Sequence, residues 1–352
     1  MRLRAPVTVL AAALLATTGL TACGSGGNDE GSGSKPTKVV LLTHDSFTLP
    51  KKLEKQFEQQ SGYQLVIRAN GDAGQLTNKL VLSADNPDGD VAFGVDNTFA
   101  SRALDAGVFD SYTPKDLPTG VADLDLPGDD GSHLTPIDQG NVCVNIDTTW
   151  FAQHHVTPPA SLDDLTKPAY KDLFVTPGAT TSSPGLAFLL ATISKYGDGW
   201  QDYWKKLMAN GTSVVDGWDE AYEVDFTQGG GKGKRPIVLS YSSDPAFTAS
   251  GGTTTTKALL DTCFRQVEYA GVLHGADNPA GAKALVDFLL TPAVQKALPS
   301  SMYVYPAVTG TPLPATWRKF APKPAKTWDV DPSDIAKNRE EWLQQWSDVI
   351  SG

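Results

Sequence analysis

The stretch Lys38–Thr43 (KVVLLT) decides the class of the fold. It is a continuous run of β-branched and other apolar residues, which predicts a strand buried on both faces. A helix is predicted after it over 50–61, with Pro50 at its start. The same strand-then-helix order follows twice more, with strands at 63–67 and 90–94 and helices at 73–83 and 98–106. Such alternation is typical of an α/β fold with a largely parallel sheet.

The rest of the chain predicts a second lobe. About 315 residues follow the N-terminal region, which is more than one hydrophobic core usually organises. Further strands are predicted at 141–147, 237–241 and 265–272, and further helices at 161–166, 185–196, 199–209, 217–226, 279–290, 292–297 and 332–349. We expect a first lobe from 38–140 plus 270–315, a second lobe from 145–265, and a C-terminal helical brace over 316–352.

The N-terminus has the layout of an export signal. Two arginines precede an apolar run, Val7–Leu20, that is short for a membrane span. The run leads into Leu20–Cys23 (LTAC), which resembles the lipobox of bacterial lipoproteins. We expect residues 1–22 to be removed as a signal peptide, Cys23 to be lipidated, and 23–37 to form a flexible Gly/Ser-rich tether on the extracytoplasmic face of the membrane. An ordinary signal peptide with a chance cysteine, or a membrane helix, is the alternative.

The chain is acidic. Its formal net charge is −11, and removal of residues 1–22 takes away two arginines, so the mature chain is near −13 (−11 − 2). Phosphate backbones select basic surfaces, so this balance argues against a nucleic-acid partner. It favours a neutral or cationic solute.

The cysteines predict one disulfide. Of three cysteines, Cys23 is used by the lipid anchor, which leaves Cys143 and Cys263 in an oxidising compartment. Each lies in or beside a strand predicted at the lobe boundary, and neighbouring strands run about 4.8 Å apart. We therefore expect these two cysteines to be bonded at the hinge. Two buried free thiols are the alternative.

Four segments have the chemistry of strand exits and helix N-termini, where ligands of open α/β sheets bind. They are residues 43–47, 94–98, 180–186 and 240–247. The candidate ligand-binding residues in them are Asp45, Ser46, Asp96, Asn97, Ser182, Ser183, Gly185 and Tyr241. Four loops with such residues at one sheet edge predict a binding cleft.

The segment Ser183–Leu186 (SPGL) predicts the start of a helix, because Ser is a good N-cap and Pro is favoured at the first position. The free N–H groups at such an end suit an anion, for example a phosphate ester. Plain capping of the helix is the alternative.

Trp218 and Tyr222 are four residues apart, so we expect them to share one helix face. A flat or cationic ligand could stack there, at about 0.5–2 kcal/mol per cation–π contact. Core packing is the alternative.

Tyr303 and Tyr305 are two residues apart, and on an extended segment they would point the same way. They could form an aromatic wall for an organic ligand or ligate ferric iron, and ordinary strand packing is the third interpretation.

No group of residues predicts an enzyme. The chain has no Gly-x-Ser-x-Gly elbow, no histidine spacing typical of zinc, and no assembled nucleophile, base and oxyanion hole. We expect no catalytic residue, no metal and no cofactor.

Six segments, in order along the chain, resemble the thiamine-binding component of bacterial thiamine importers. They are THDSF (43–47), FGVDN (93–97), TSSPGL (181–186), GWDEAY (217–222), VLSYSSDPA (238–246) and YP (305–306). The resemblance runs from about Val39 to Ile350. It implies an α/β, two-lobed type II periplasmic-binding architecture that holds thiamine, and usually its phosphate esters, in a cleft between the lobes.

The resemblance also implies roles for individual residues. Asp45 would contact the polar edge of the ligand, and Ser182 and Ser183 would receive a phosphate or the hydroxyethyl end. Stacking and hydrogen bonds would come from Trp218, Tyr222 and Tyr241. The chain departs from the family pattern at His44, where Tyr is favoured, at Tyr303, which lies nearest a position where Trp is favoured, and at Phe247, which replaces a Tyr.

The function that follows is delivery of thiamine, and of its phosphates if they bind, to an ABC importer. The protein would be a monomer that captures the ligand by hinge closure and then docks on a permease driven by an ATPase. The same fold could instead bind ferric iron or a polyamine. A secreted hydrolase or a surface adhesion module is the alternative from another class.

Overall fold

The computed structural model describes residues 37–230 and 232–352. The predicted signal peptide, the lipidation site Cys23 and nearly all of the tether lie outside these residues. In the described part of the chain, no helix is both long enough and apolar enough to cross a membrane.

Strands and helices alternate at the start of the chain, as the sequence predicts. The elements are β1 (Lys38–Thr43), α1 (Lys51–Ser61), β2 (Gln64–Ala69), α2 (Ala73–Leu82), β3 (Val91–Asp96) and α3 (Ala100–Asp105). β1 lies between β2 and β3 and pairs in parallel with both. The chain needs this arrangement because β1 and β3 are apolar along nearly their whole length and must be covered on both faces.

A long strand, β4 (Thr135–Asp147), then leaves this part of the sheet. The prediction that the strand starts at 141 was wrong, because its first half is paired as well. That half contains buried polar side chains, among them Asp138, which hide the apolar pattern of a strand.

The central part of the chain forms a second α/β unit. Its elements are α4 (Thr148–Gln153), β5 (Phe174–Pro177), α5 (Ser183–Tyr196), α6 (Trp200–Ala209), β6 (Ser213–Val215), β7 (Ile237–Tyr241), α7 (Asp244–Phe247) and β8 (Thr256–Ala258). The helix predicted at 161–166 is only a 3-10 turn, Asp163–Thr166, and the one at 217–226 is mostly a π-helix, Glu220–Asp225. The strands β5, β6 and β8 were not predicted, since three or four residues are too few to show a period.

The chain returns along β9 (Phe264–Val272), which pairs antiparallel with β3 on one side and β4 on the other. The remaining elements are α8 (Pro279–Leu289), α9 (Pro292–Ser301), β10 (Tyr305–Pro306), α10 (Ala315–Phe320) and α11 (Pro332–Ser351). In the described residues the main strand order is β2-β1-β3-β9-β4-β7-β5-β6, with β8 and β10 paired to β4.

Two hydrophobic cores lie at the two ends of this sheet. The first is built from β1–β3, α1, α2, α8 and α9, and the second from β7, α5, α6 and parts of α11. We call these two parts lobe 1 and lobe 2; β4 and β9 connect them. α11 lies on α6, where Trp346 meets Trp204 at 5.5 Å between ring centroids, and it also contacts α3.

A disulfide joins the two connecting segments. Cys143 of β4 is bonded to Cys263, the residue before β9, with 4.2 Å between their Cα atoms, and both are fully buried. The pairing expected from the sequence is therefore confirmed. It lies where the chain passes between the lobes and closes a loop across 120 positions of sequence.

We predict that the double variant Cys143→Ala/Cys263→Ala unfolds more easily by about 2–4 kcal/mol, because the unfolded chain regains the entropy that the cross-link removes. Urea unfolding under non-reducing conditions measures the difference. Reductant should destabilise the parent protein by a similar amount and leave the double variant unchanged. Alkylation of both cysteines in unfolded, unreduced parent protein would contradict the disulfide.

Candidate ligand-binding cleft

Two adjoining cavities lie between the lobes. The inner cavity, of about 40 Å³, is bounded by the sheet, and the outer cavity, of about 240 Å³, by more exposed loops. The residues that line both are Ser46, Trp218, Asp244, Met302 and Tyr303. The cavities therefore form one cleft.

Loops at the carboxyl ends of strands supply most of the cleft wall. His44, Asp45 and Ser46 follow β1, and Asp72 follows β2 and caps α2 through its own side chain. From lobe 2, Trp218 follows β6, while Tyr241 and Asp244 come from the end of β7 and the start of α7. This is the edge at which ligands of open α/β sheets bind.

The two lobes are in direct contact across the cleft. Asp72 Oδ2 accepts a hydrogen bond from the Trp218 backbone N–H at 2.8 Å, and the Gln75 N–H donates to the Thr181 carbonyl at 3.1 Å. Gly74 allows this approach, since a Cβ there would lie 2.7 Å from the Thr181 carbonyl group. The structure is thus a closed form of the cleft.

Buried hydrogen bonds hold the inner wall. The Tyr241 hydroxyl donates to Gln266 Oε1 at 2.7 Å, and Gln266 Nε2 donates to Ser183 Oγ at 3.1 Å. Trp218 Nε1 donates to Ser240 Oγ at 2.8 Å. These bonds orient the Trp218 and Tyr241 rings before any ligand arrives, which lowers the entropy cost of binding.

Three buried acids form a row across neighbouring strands of the sheet, and Glu268 is the one of them that lines the inner cavity. Asp96 of β3 and Asp138 of β4 both lie opposite Glu268 of β9 in the sheet register. Burial, and then the charge of Glu268, raise the pKa of Asp138 well above its usual range, which favours the protonated form of Asp138 beside the Glu268 carboxyl group. Burial also raises the pKa of Asp96 to about 6, against the hydrogen bonds that Asp96 accepts from Thr98.

His44 is the basic residue that lies next to these acids. Its Nε2 lies 3.2 Å from Glu268 Oε1, a distance that makes an ion pair when His44 is protonated. Burial alone would lower the pKa of His44, but the nearby Glu268, Asp72 and Asp219 carboxylates outweigh it and raise that pKa. In the same way burial raises the pKa of Glu268, and His44 brings it below its usual range.

Asp244 lies in both cavities and has no basic partner among its hydrogen bonds in the described residues. Its Oδ2 accepts from the Tyr241 N–H at 3.2 Å, and the group is 3% exposed. Burial raises the pKa of Asp244 to about 7, against the hydrogen bonds from Ser240 and Tyr241. A ligand cation placed beside it would stabilise the ionised form.

Aromatic rings form the wall next to Asp244. Trp218 and Tyr222 stack with 5.0 Å between centroids and 10° between planes. Phe247 meets Tyr222 at 6.1 Å and Tyr303 at 4.7 Å, both edge to face. The Tyr222 hydroxyl is buried and has no hydrogen-bond partner in the described residues, so it is available to a ligand.

Comparison with known proteins agrees with a two-lobed binding protein. A family model described as bacterial extracellular solute-binding protein matches residues 88–330. The thiamine-binding periplasmic protein of Brucella melitensis biotype 1 is 32% identical over 323 residues, which cover 88% of this chain and 91% of the relative. The protein of the same name from Escherichia coli K12 is 29% identical and covers 90% of this chain and 94% of the relative.

The chain belongs to the bacterial extracellular solute-binding protein family.

Solved structures show the same architecture. A periplasmic thiamin binding protein superposes with a TM-score of 0.78 and 29% identity, over 92% of this chain and 98% of that chain. Iron-bound HitA from Pseudomonas aeruginosa shares the fold at a TM-score of 0.69 and 21% identity, over 89% of this chain and 99% of that chain. This solute-binding protein therefore has the expected type II periplasmic-binding architecture, with its cleft between two lobes.

The structure brings most of the predicted site residues of this solute-binding protein together. The ones that line the cleft are Asp45, Ser46, Ser183, Trp218, Tyr222, Tyr241 and Tyr303. The ones that line neither cavity are Asp96, Asn97, Ser182 and Gly185.

The residues that lie outside the cleft have structural contacts. Asp96 closes the turn after β3 through Thr98 and Phe99, and Asn97 bonds the backbone of β9 at Arg265 and Val267. A Cβ at Gly185 would meet the Gly178 carbonyl, so this position serves packing. A polar residue after a strand can close its own turn or face a ligand, and the sequence does not distinguish the two.

Two local predictions were wrong. Tyr303 and Tyr305 do not point the same way, because Tyr303 has a left-handed φ of 57° that breaks the extended segment. Tyr303 faces the cleft, whereas the buried Tyr305 hydroxyl donates to the Ala321 carbonyl at 2.6 Å. The helix start was also displaced by one residue: Ser182, not Ser183, is the N-cap of α5, and its side chain makes no capping bond.

Sequence reasoning missed several cleft residues. They are Asp72, Asp244, Gln266, Glu268 and Met302. Asp72 and Asp244 had a readable signal, because each follows a strand and begins a helix. Gln266 and Glu268 lie within a strand, where only the pairing partner reveals which face they share.

We predict that Trp218→Ala lowers the free energy of unfolding by only about 1–2 kcal/mol, since it removes one hydrogen bond and a stacked, partly exposed ring. Trp204→Ala, in the lobe 2 core at 0% exposure, is the matched control and should cost about 3–5 kcal/mol. Urea denaturation without ligand compares the two. An equal loss in both variants would place Trp218 in the core rather than in the cleft wall.

Proposed function

We propose that this protein captures thiamine outside the cell and delivers it to the permease of an ABC importer, without catalysing a reaction. One observation carries the proposal: the stacked Trp218–Tyr222 pair lies beside the buried carboxyl group of Asp244 in one cavity. The thiamine-binding relatives, similar along nearly the whole chain, support it.

The chemistry of thiamine suits this wall. The ligand has a flat aminopyrimidine, which can stack on an aromatic ring, and a thiazolium cation. A cation held over an aromatic face and next to a desolvated carboxylate gains both a cation–π and a charge interaction. The amino group and ring nitrogens can use Asp72, the Tyr222 hydroxyl and the other polar groups of the cleft.

Other ligands and activities have less support. Paired tyrosinates for ferric iron are not available, because the Tyr305 hydroxyl is bonded away from Tyr303. A polyamine would satisfy the carboxylates but would leave the stacked rings without a flat partner. For a hydrolase, neither cavity assembles a nucleophile with a base and an oxyanion hole in the described residues.

Closure explains how binding could be signalled to an importer. The Asp72–Trp218 contact joins the lobes in this closed form and would be lost when the lobes separate. A permease and its ATPase can then distinguish the loaded protein from the empty one by the surface that the two lobes present together.

Lipid anchoring at Cys23 is part of the proposal and has its own test. Cells fed a radiolabelled fatty acid should incorporate label into the parent protein, because the mature N-terminus would be a lipidated cysteine. Cys23→Ser should lose the label and Cys143→Ser should keep it. Label retained by Cys23→Ser would contradict the anchor.

We predict that calorimetry shows thiamine binding that weakens about tenfold from pH 8 to pH 6. A carboxyl group with a pKa of about 7 is ionised at pH 8 and about nine-tenths protonated at pH 6, and only the ionised form attracts the cation. Thiamine at 100 times its Kd should also stabilise the protein by about 2.7 kcal/mol.

Two controls make this test specific. Asp244→Asn should bind thiamine weakly and with little pH dependence, and spermidine should bind far more weakly than thiamine to the parent protein. No heat and no thermal shift with thiamine at either pH would reject the proposed function.

A further inference from the structure

Carboxyl groups dominate the wall of the cleft. Six of them line the two cavities: Asp45, Asp72, Asp219, Glu223, Asp244 and Glu268. The single base on the wall, among the described residues, is His44, and its Nε2 already contacts Glu268. No Lys or Arg of the described chain lines either cavity. The cleft thus lacks the side chains that usually hold a phosphate group.

The amino end of α5 does not replace them, because protein acids already occupy its surroundings. Ser182 is fully buried, and its hydroxyl lies beside the Asp72 carboxyl without an aligned hydrogen bond. The Ser183 hydroxyl accepts from Gln266 and lies against the buried Asp96. Pro184, which faces the inner cavity, has no N–H to offer.

The outer cavity is no more favourable to an anion. Asp45, Asp219, Glu223 and Asp244 all line it, and Asp45 and Glu223 are exposed at its mouth. The phosphate end of a ligand that extended from the inner cavity into the outer one would pass close to these carboxylates. Like charges brought together in a partly desolvated site oppose binding and discriminate against the wrong partner.

We propose that the cleft selects unesterified thiamine and rejects its phosphate esters. The inference rests on the proposed function and narrows it to the cation with a neutral hydroxyethyl end. The phosphate of the monoester carries a charge of about −1.5 to −2 at pH 7, so it converts a ligand that the acidic wall attracts into one that it repels. Before capture, an external ester would then need hydrolysis by a phosphatase, in which water attacks phosphorus, the P–O bond to the hydroxyethyl oxygen breaks, and phosphate and the free alcohol are formed.

Calorimetry with thiamine and with thiamine monophosphate, in the same low-salt buffer at pH 8, tests the inference. The monophosphate should bind at least about 100-fold more weakly. The ratio should shrink at high salt, because screening reduces repulsion at the exposed mouth. A simple steric block would leave the ratio unchanged and would overturn the electrostatic account.

A double variant of the outer acids and a control variant show whether these acids weaken the binding of the monophosphate. Asp219→Asn/Glu223→Gln should raise the affinity for the monophosphate at least about fivefold while thiamine affinity stays equal or falls. Asp198→Asn changes one exposed acid at the opposite end of α5 and should leave both affinities as they are. A double variant with an unchanged monophosphate affinity would overturn the role given to the outer acids.

The outcomes separate this inference from the proposed function. Failure of thiamine itself to bind would reject the function. Tight thiamine binding together with monophosphate binding within tenfold of it would keep the function and overturn the selectivity.

Discussion

The antiparallel pairing of β4 with β9 is the constraint on which the cleft depends. These strands carry the chain from lobe 1 to lobe 2 and back, and their register places Asp138 opposite Glu268 and Gly140 opposite Gln266. Opposite residues of an antiparallel pair share one face and lie about 5 Å apart. The register therefore places Glu268 and Gln266 on the face that lines the inner cavity, and a slip by one residue would turn both side chains to the other face.

The same pairing positions the aromatic wall. Gly140 leaves room for the Tyr241 ring, since a Cβ there would come within 2.8 Å of it, and the Tyr241 hydroxyl can then reach Gln266. The Cys143–Cys263 disulfide joins the strands where the chain enters lobe 2. The paired strands β4 and β9 thus form the connection between the lobes, the hinge and one wall of the binding site. Closure can therefore move the lobes while this strand pair keeps its geometry.

Buried acidic side chains lower the stability of the fold, but they also give the cleft its attraction for a cationic ligand. A desolvated carboxylate is unfavourable unless it is paired or protonated. The sheet meets this demand by placing His44 3.2 Å from Glu268, and by raising the pKa of Asp138 through burial and the Glu268 charge, which favours the protonated form of Asp138. Among the described residues Asp244 has no such base, and a cationic ligand would supply the missing charge. Proteins of this fold with iron as ligand show that the scaffold alone does not choose the solute.

The sequence by itself determined the α/β class, the order of the larger elements and the candidate cysteine pair. A short apolar run rich in β-branched residues, such as Lys38–Thr43, favours a buried strand, and Trp218 and Tyr222 at a spacing of four share a helical face whether the turn is α or π. The strands and the helical face are local features, so a single segment carries their signal, and the cysteine pair follows from the small number of cysteines in the chain.

Only the tertiary structure decided which polar residues face the ligand. Asp96 and Asp244 both follow strands, yet Asp96 closes its own turn beneath the cleft while Asp244 opens into both cavities. Gln266 and Glu268 reach the inner cavity because β9 pairs with β4, a strand about 130 residues earlier in the chain. Their placement depends on register and lobe closure, which are properties of distant segments in contact, and no local pattern of residues encodes them.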